Sequence, residues 1–203
     1  MTWFLPRINL FPTHWLDVSF PVIFIIRFHP IIYMCSLLLF EVLELVDEAA
    51  LENILKSVAK NISEDNLRFA ELDLKTAKGM APEDPRVWYY DGVVKARSDR
   101  YTEALESLDK AVGLGMTDDA DVYFYKGYCY YKMKDQSSAI ENLERALELD
   151  SSKELAYYYA AIAYGQSGNM DKAEEYVNIL LELNPEDKDY KKLMDQIQKA
   201  KGG

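Results

Sequence analysis

The chain has 203 residues, of which 49% are hydrophobic and 28% are charged, and its formal net charge is −11. This composition is ordinary for a folded protein and permits one or two domains. Residues 1–40 carry only three full charges, Arg7, Asp17 and Arg27, so the negative charge lies in the remainder, which would be repelled by nucleic acid and by anionic lipid.

The first predicted element is an apolar N-terminal segment, residues 1–47, in which Phe20 to Phe40 gives an apolar run of 21 residues. A run of that length is enough to span a bilayer, but Arg27 and Pro30 weaken this prediction. Three interpretations stay open: a membrane anchor at residues 20–40, a helix that covers the following domain, and an extension before a true start, for instance at Met34. The protein is accordingly expected to be membrane-associated through its N terminus or cytoplasmic.

The next element is a helix start after Asn61. Ser63 precedes Glu64 and Asp65, and a serine N-cap followed by acidic residues favours the first turn of a helix. We therefore expect Ser63 to cap a helix.

Residues 48–185 then repeat a pattern registered on four alanines, which are spaced 34, 35 and 34 residues apart: Ala70, Ala104, Ala139 and Ala173. A small or apolar residue lies twelve positions before each alanine, and an aliphatic residue lies four after it. Small residues at facing positions let two helices approach closely. The pattern predicts four helix pairs, at about 51–84, 85–119, 120–153 and 154–185.

A terminal helix and tail are predicted for residues 186–203. After Pro185, apolar residues form one stripe on an otherwise charged segment, at Tyr190, Leu193, Met194 and Ile197. An amphipathic helix in this place is expected to cap the last pair.

The repeated pattern resembles the tetratricopeptide repeat, in which a large residue lies four before the small residue at the helix crossing and a tyrosine lies three after it. The residues that carry the resemblance are Trp88, Gly92, Ala104, Gly127, Ala139, Ala161 and Ala173. Lys95 stands where the family has tyrosine, and the first helix around Val58 matches poorly. The resemblance implies an all-α fold, a right-handed superhelical solenoid of antiparallel helix pairs.

The resemblance also implies that the first helices of the pairs line a concave face, where peptides or partner helices bind. Eleven of the fifteen tyrosines lie on the three later first helices. Consecutive tyrosines point in different directions, so some must face the groove. The predicted groove residues are Tyr89, Val93, Phe124, Tyr128, Tyr131, Tyr158 and Ile162. Two alternatives are that the N-terminal segment covers this stripe and that the stripe packs between repeats.

Some members of the family grip the C-terminal carboxylate of a chaperone with Lys, Arg and Asn side chains in the groove. Here the inward positions carry apolar and aromatic residues such as Leu55, Ala59 and Tyr89, so we expect no chaperone-tail binding. Lys132 and Arg97, near the groove edge, are expected to be solvated helix ends. Acidic residues dominate the helix edges: Glu103, Glu106, Asp109, Asp118, Asp119, Asp121, Glu141, Glu144, Glu148 and Glu154. Such a rim would favour a basic partner, but a charged outer face is also what any soluble helical stack needs.

Catalytic chemistry has little support in the sequence. The two cysteines, Cys35 and Cys129, are far apart, and both histidines, His14 and His29, precede the repeats. These positions argue against a zinc site and against an imidazole base in the repeats, and no glycine-rich phosphate loop is present. We therefore expect no enzymatic activity, no cofactor and no metal.

The predicted function is a protein–protein interaction module, a scaffold or adaptor that holds a partner peptide or amphipathic helix, basic in character, in the tyrosine-rich groove. The alternative is a membrane-anchored receptor or assembly factor of the same family that captures basic amphipathic segments. We expect no nucleic acid partner, and neither hypothesis specifies an oligomeric state.

Overall fold

The computed structural model describes residues 48–202, and the predictions for residues 1–47 lie outside this range. The described residues form nine α-helices and no strand. Their bounds are α1, residues 48–63; α2, Leu67–Met80; α3, Pro85–Arg97; α4, Tyr101–Gly113; α5, Ala120–Lys132; α6, Gln136–Leu149; α7, Glu154–Gln166; α8, Met170–Leu183; and α9, Lys188–Lys201. Within this range no helix is both long and apolar enough to cross a membrane.

The turn inside each helix pair places one residue in the left-handed region of backbone space. These residues are Asp65 with φ 58°, Asp99 with φ 60°, Lys134 with φ 64° and Gly168 with φ 88°. They keep the spacing of the repeat alanines, 34, 35 and 34 residues. Each pair of helices therefore reverses direction through the same turn, and three of the four turns do so without glycine.

Aspartates begin three of the four later helices that open a pair or cap the stack. The carboxylates of Asp84, Asp119 and Asp187 accept backbone N–H groups at the starts of α3, α5 and α9, and Pro85 fixes the first turn of α3. The prediction for Ser63 was wrong. Ser63 is the last residue of α1 and its Oγ donates to the carbonyl of Lys60, because the chain still has to turn before α2 begins.

Helix crossings explain the small residues of the repeat. The four alanines Ala70, Ala104, Ala139 and Ala173 are fully buried. At Gly92 and Gly127 an added Cβ would lie 2.6 Å from Cγ of Leu108 and of Leu143, respectively. These distances are shorter than van der Waals contact, so the glycines let each pair of helices close over a buried leucine.

The pairs stack as an all-α helical solenoid. Helix α3 contacts α5, α5 contacts α7 and α7 contacts α9, whereas α4, α6 and α8 make no such contacts among themselves. The first helices therefore form one continuous row. Helix α9 closes this row against α7 and α8, with Tyr190, Met194 and Ile197 buried.

Candidate functional site

An aromatic strip runs across the row of first helices, and we define it as Tyr89, Phe124, Tyr125, Tyr128, Tyr131, Tyr158 and Tyr159. Its rings contact one another from helix to helix. The ring centroids of Tyr89 and Tyr125 are 6.3 Å apart, those of Phe124 and Tyr159 are 6.2 Å apart, and those of Tyr131 and Tyr159 are 5.3 Å apart. Tilted and edge-on pairs at these distances are favourable. The strip is therefore a connected surface built from three helices.

The end of the strip is fixed by the terminal helix. Tyr158 lies with its ring centroid 5.5 Å from that of Tyr159 and 6.0 Å from that of Tyr190 on α9. The Tyr190 hydroxyl in turn donates to the Glu154 carboxylate at 3.0 Å. Helix α9 thus extends the aromatic contacts beyond the last repeat as well as covering its core.

The predicted groove residues divide into two layers. Tyr128, Tyr131 and Tyr158, like Tyr89, are half-buried and keep accessible surface. Val93 is only 2% exposed and Phe124 only 9%, and the rings of Tyr125, Tyr128 and Tyr159 pack against Phe124. The structure therefore places Val93 and Phe124 in the floor of the row rather than on its surface.

Ile162 lies apart from the rings. It is half-buried and lines a cavity of about 220 Å³ between α7 and α9, together with Leu193 and Ile197. The role of Ile162 in a binding groove stays a prediction; the cavity beside it is lined mainly by aliphatic side chains.

Two members of the strip, Tyr125 and Tyr159, were missed by the sequence analysis. Tyr159 contacts the rings of Phe124, Tyr128, Tyr131 and Tyr158, four in all, whereas no predicted residue contacts more than three. The signal for it was helical spacing, because Tyr159 lies three residues before Ile162 and therefore shares its face of α7.

The hydroxyls of Tyr89, Tyr125 and Tyr159 stay protonated at neutral pH. Burial raises the pKa of Tyr89 well above its ordinary value, with the nearby Asp121 carboxylate adding to the effect. Burial likewise raises the pKa of Tyr125, and that of Tyr159 to about 12. Neutral phenol groups can both donate and accept hydrogen bonds, which suits contact with a partner backbone or side chain.

Acidic residues near the strip cluster at the N-terminal ends of the first helices. The Asp121 carboxylate adds to the effect of burial in raising the pKa of Tyr89 and Tyr125. Burial also raises the pKa of Tyr158, and the Asp189 and Asp187 carboxylates add to it. Asp121 is partly neutralised by Lys153, whose Nζ lies 2.9 Å from it. Six of the other predicted edge acids lie on the second helices α4 and α6: Glu103, Glu106, Asp109, Glu141, Glu144 and Glu148.

Lys95, which departs from the repeat pattern, belongs to a buried ionic cluster between α2, α3 and α4. Its Nζ lies 2.9 Å from Oδ2 of Asp91, and Nζ of Lys78 lies 2.6 Å from Oδ1. The Ser107 hydroxyl donates to Oδ2 at 2.6 Å. Burial opposes ionisation of Asp91, but the hydrogen bonds from Lys78, Ser107 and Lys95 outweigh it and lower its pKa. Lysine replaces tyrosine here because Asp91 supplies its counter-charge.

Two other residues have structural roles. The indole N–H of Trp88 donates to the carbonyl of Pro82 at 2.7 Å, and the ammonium of Lys110 lies 3.8 Å from the centre of its ring. Arg97 is the exposed last residue of α3, as expected, and its guanidinium also contacts the first helix pair. It donates to the carbonyl of Ile62 and pairs with Asp65 at 3.0 Å, which ties α3 to the first pair.

Stacked antiparallel helix pairs with a continuous inner row define a helical-repeat protein. Two family models match the sequence, both described as tetratricopeptide repeat, one over residues 92–154 and the other over residues 133–197. The chain belongs to the tetratricopeptide repeat family. The fold of this family is generally a protein–protein interaction module.

Solved structures show the same fold. The chain is similar to the APC/C hetero-tetramer Cut9-Hcn1, with 19% identity, a TM-score of 0.67 and coverage of 71% of this chain but 29% of that chain. It is similar to YrrB, described as a TPR protein with an unusual peptide-binding site, with 21% identity, a TM-score of 0.63 and coverage of 73% and 76%. It is also similar to pilF of Pseudomonas aeruginosa, with 18% identity, a TM-score of 0.67 and coverage of 76% and 70%. Comparison with curated proteins finds no significant sequence match.

Proposed function

We propose that this chain is a non-enzymatic scaffold or adaptor that binds a segment of another protein, a peptide or an amphipathic helix, along the aromatic strip. The observation that carries the proposal is the unbroken set of ring contacts from α3 to α9. Rings that already pack against one another lose little conformational freedom when a partner binds. Their exposed parts offer both apolar area and hydroxyl groups, which is the chemistry of recognition surfaces.

The charge near the strip supports a basic partner. Asp119 and Asp121 stand at the start of α5, and Asp187 and Asp189 stand at the start of α9. The carboxylates of Asp119 and Asp187 keep their negative charge while they cap their helices. Of the four carboxylates, Lys153 offsets the charge of Asp121. A segment with an apolar face on the rings and basic residues toward these helix starts would complement the surface.

Binding of designed peptides to the full-length chain tests the proposal. The probe is a helical peptide of about 18 residues with Leu and Phe on one face and Lys on the other, and its control has Glu in place of every Lys. Fluorescence anisotropy should show tighter binding of the basic peptide, and added salt should weaken that binding. Equal binding of the two peptides, or binding that salt does not change, would contradict the basic partner.

Strip variants locate the binding site. The double variant Tyr128→Ala and Tyr158→Ala removes two accessible rings and should weaken binding at least about tenfold. The matched variant Tyr128→Phe and Tyr158→Phe keeps both rings and should bind within a few-fold of the wild type. Circular dichroism and a urea midpoint for each variant show that it remains folded. Wild-type affinity in the folded alanine variant would remove the strip from the binding site.

A further inference from the structure

The solvent-exposed face of α2 carries three large apolar side chains. Phe69 is 64% exposed, Leu72 is 62% exposed and Met80 is 41% exposed. They are half of the six exposed large hydrophobic residues in the part of the chain that the structure describes, and their spacing of three and eight residues places them on one side of the helix. Single exposed apolar residues are normal on a protein surface, but a group of them is typical of a contact site.

Basic side chains lie beside this apolar group. Arg68 lies four residues before Leu72 and Lys75 lies three after it, so both share its face of the helix, and both are exposed. Glu71 lies at the border of the face, and its carboxylate pairs with Arg100 at 2.8 Å. We define the α2 patch as Arg68, Phe69, Leu72, Lys75 and Met80. The patch therefore combines apolar surface with positive charge, in a chain whose formal net charge is −11.

The repeat shows that the fold does not need apolar residues at these positions. Phe69 and Leu72 lie one residue before and two residues after Ala70. The same positions beside the other repeat alanines hold polar or charged residues: Glu103 and Glu106 on α4, Ser138 and Glu141 on α6, and Lys172 and Glu175 on α8. Three helix pairs therefore pack without apolar side chains there, and those of α2 are available for a contact with another molecule.

We propose that the α2 patch of one copy of this protein docks on the aromatic strip of a second copy. The inference rests on the proposed function and names another molecule of the same chain as a partner for the strip. Phe69 and Leu72 supply an apolar face for the accessible rings of the strip. Arg68 and Lys75 supply a basic face, which complements the carboxylates at the starts of α5 and α9.

The two surfaces differ, so the contact between copies is heterologous. Helix α2 is packed against α3 and its patch faces solvent, so a chain cannot lay its own patch on its own strip. Each copy instead offers its patch to one neighbour and its strip to another, and copies joined in this way form a head-to-tail chain. A neighbour on the strip excludes other partners, so self-association competes with the binding of a peptide.

Sedimentation velocity on the full-length protein tests the contact. The wild type should associate as its concentration rises to about 0.5 mM, because a contact between two small surfaces is expected to be weak. The patch variant Phe69→Glu and Leu72→Glu gives α2 the residues that α4 carries at the matching positions. The strip variant is Tyr128→Ala and Tyr158→Ala. Each variant alone should self-associate at least about tenfold more weakly than the wild type. The control Leu183→Ser removes a side chain that is 54% exposed on α8 and should associate as the wild type does.

A mixture of the two variants distinguishes a head-to-tail contact from a symmetric one. The strip variant keeps its patch and the patch variant keeps its strip, so an equimolar mixture should form dimers with one chain of each kind. Circular dichroism checks that each variant is folded. Monomers in the mixture would overturn the proposal, and so would a wild type that stays monomeric. Wild-type association of the strip variant alone would show that two α2 patches pair with each other, and the same result for both variants would assign the contact to another surface; either result overturns the proposal.

The designed basic peptide separates this inference from the proposed function. The patch variant keeps its strip and should bind the peptide at least as tightly as the wild type does, because no neighbour competes for the strip. Peptide binding without association of the mixed variants would refute the contact between copies and leave the proposed function. Association of the mixed variants without peptide binding would refute the basic peptide as a partner and leave the contact between copies.

Discussion

Substitution Asp91→Asn should destabilise the protein far more than loss of an ordinary surface charge. The change keeps the shape of the side chain but leaves the ammonium groups of Lys78 and Lys95, 2.6 and 2.9 Å from the carboxylate oxygens, without their counter-charge. Removal of one partner from a buried ion pair costs roughly 3–5 kcal/mol. The side chains of Lys78 and Lys95 are 29% and 17% exposed, so water screens part of the repulsion, and we expect a loss of about 2–3 kcal/mol.

The assay is urea unfolding at pH 7, followed by circular dichroism, with thermal unfolding as a second measurement. A loss of that size corresponds to a decrease of about 5–10 °C in Tm for a domain of this length. The control is Glu186→Gln, which removes one carboxylate charge from a pair with Lys191 at 3.0 Å in which Glu186 is 90% and Lys191 50% exposed. An exposed pair contributes about 0–1 kcal/mol. Equal destabilisation by the two substitutions would refute the argument from burial.

The difference between wild type and Asp91→Asn should also depend on pH. The pKa of Asp91 is lowered in the folded state, so its stabilisation is fully present above the unfolded carboxyl pKa of about 3.9. It is lost as the pH falls through the lower folded pKa. The difference between the urea midpoints of the two proteins should therefore be constant from neutral pH to about pH 5 and should shrink in stronger acid. A gap that does not narrow in acid would show that Asp91 acts through shape rather than charge.

Two further predictions concern the core. Gly127→Ala places a Cβ 2.6 Å from Cγ of Leu143 and should lower the free energy of unfolding in urea by about 1–3 kcal/mol. The control Gly113→Ala meets no atom within 4 Å and should raise it by about 0.5–1 kcal/mol. A change in the same direction for both variants would contradict the close-crossing explanation. Burial raises the pKa of the Cys129 thiol to about 12. In a Cys35→Ala background, its reaction with a disulfide reagent at neutral pH should therefore be at least about a thousandfold slower than that of a free thiol, and the rate should recover in urea. Fast reaction of the native protein would show that the thiol is accessible.

The repeat could be predicted from the sequence because its constraints are local. A helix crossing that closes over Leu108 or Leu143 requires a residue without a bulky side chain, and Gly92 and Gly127 meet that requirement at a regular spacing. Alanine at the facing position meets the same requirement for a small side chain. Four such crossings in register indicate a stack of helix pairs before any contact is known.

The sequence was least informative about features that depend on contacts between helices. Ser63 looks like an N-cap, but the chain turns through Asp65 in the left-handed region before α2 begins. Lys95 looked like a departure from the repeat; its counter-charge, Asp91, lies four residues earlier on the same helix, and Lys78 on α2 and Ser107 on α4 complete the cluster around that carboxylate. A pattern along one helix contains no information about charges that neighbouring helices contribute.

Which of several consecutive tyrosines faces the aromatic strip also depends on contacts between helices, and it bears on the proposed function. Successive residues of a helix differ by about 100° in direction, so a run such as Tyr157–Tyr159 contains one ring for each of several surfaces. The structure assigns Tyr157 to the pair interior, against Tyr176, and assigns Tyr159 to the strip, against Tyr128 and Tyr131.

Because strip rings contact one another, replacing one of them also loosens its neighbours, and affinity losses measured for single variants are not expected to add. This coupling is the reason that the binding test pairs each alanine change with phenylalanine at the same position. The phenylalanine variants keep the ring contacts and remove only the hydroxyls, so a difference between the two sets measures what the rings contribute to the partner.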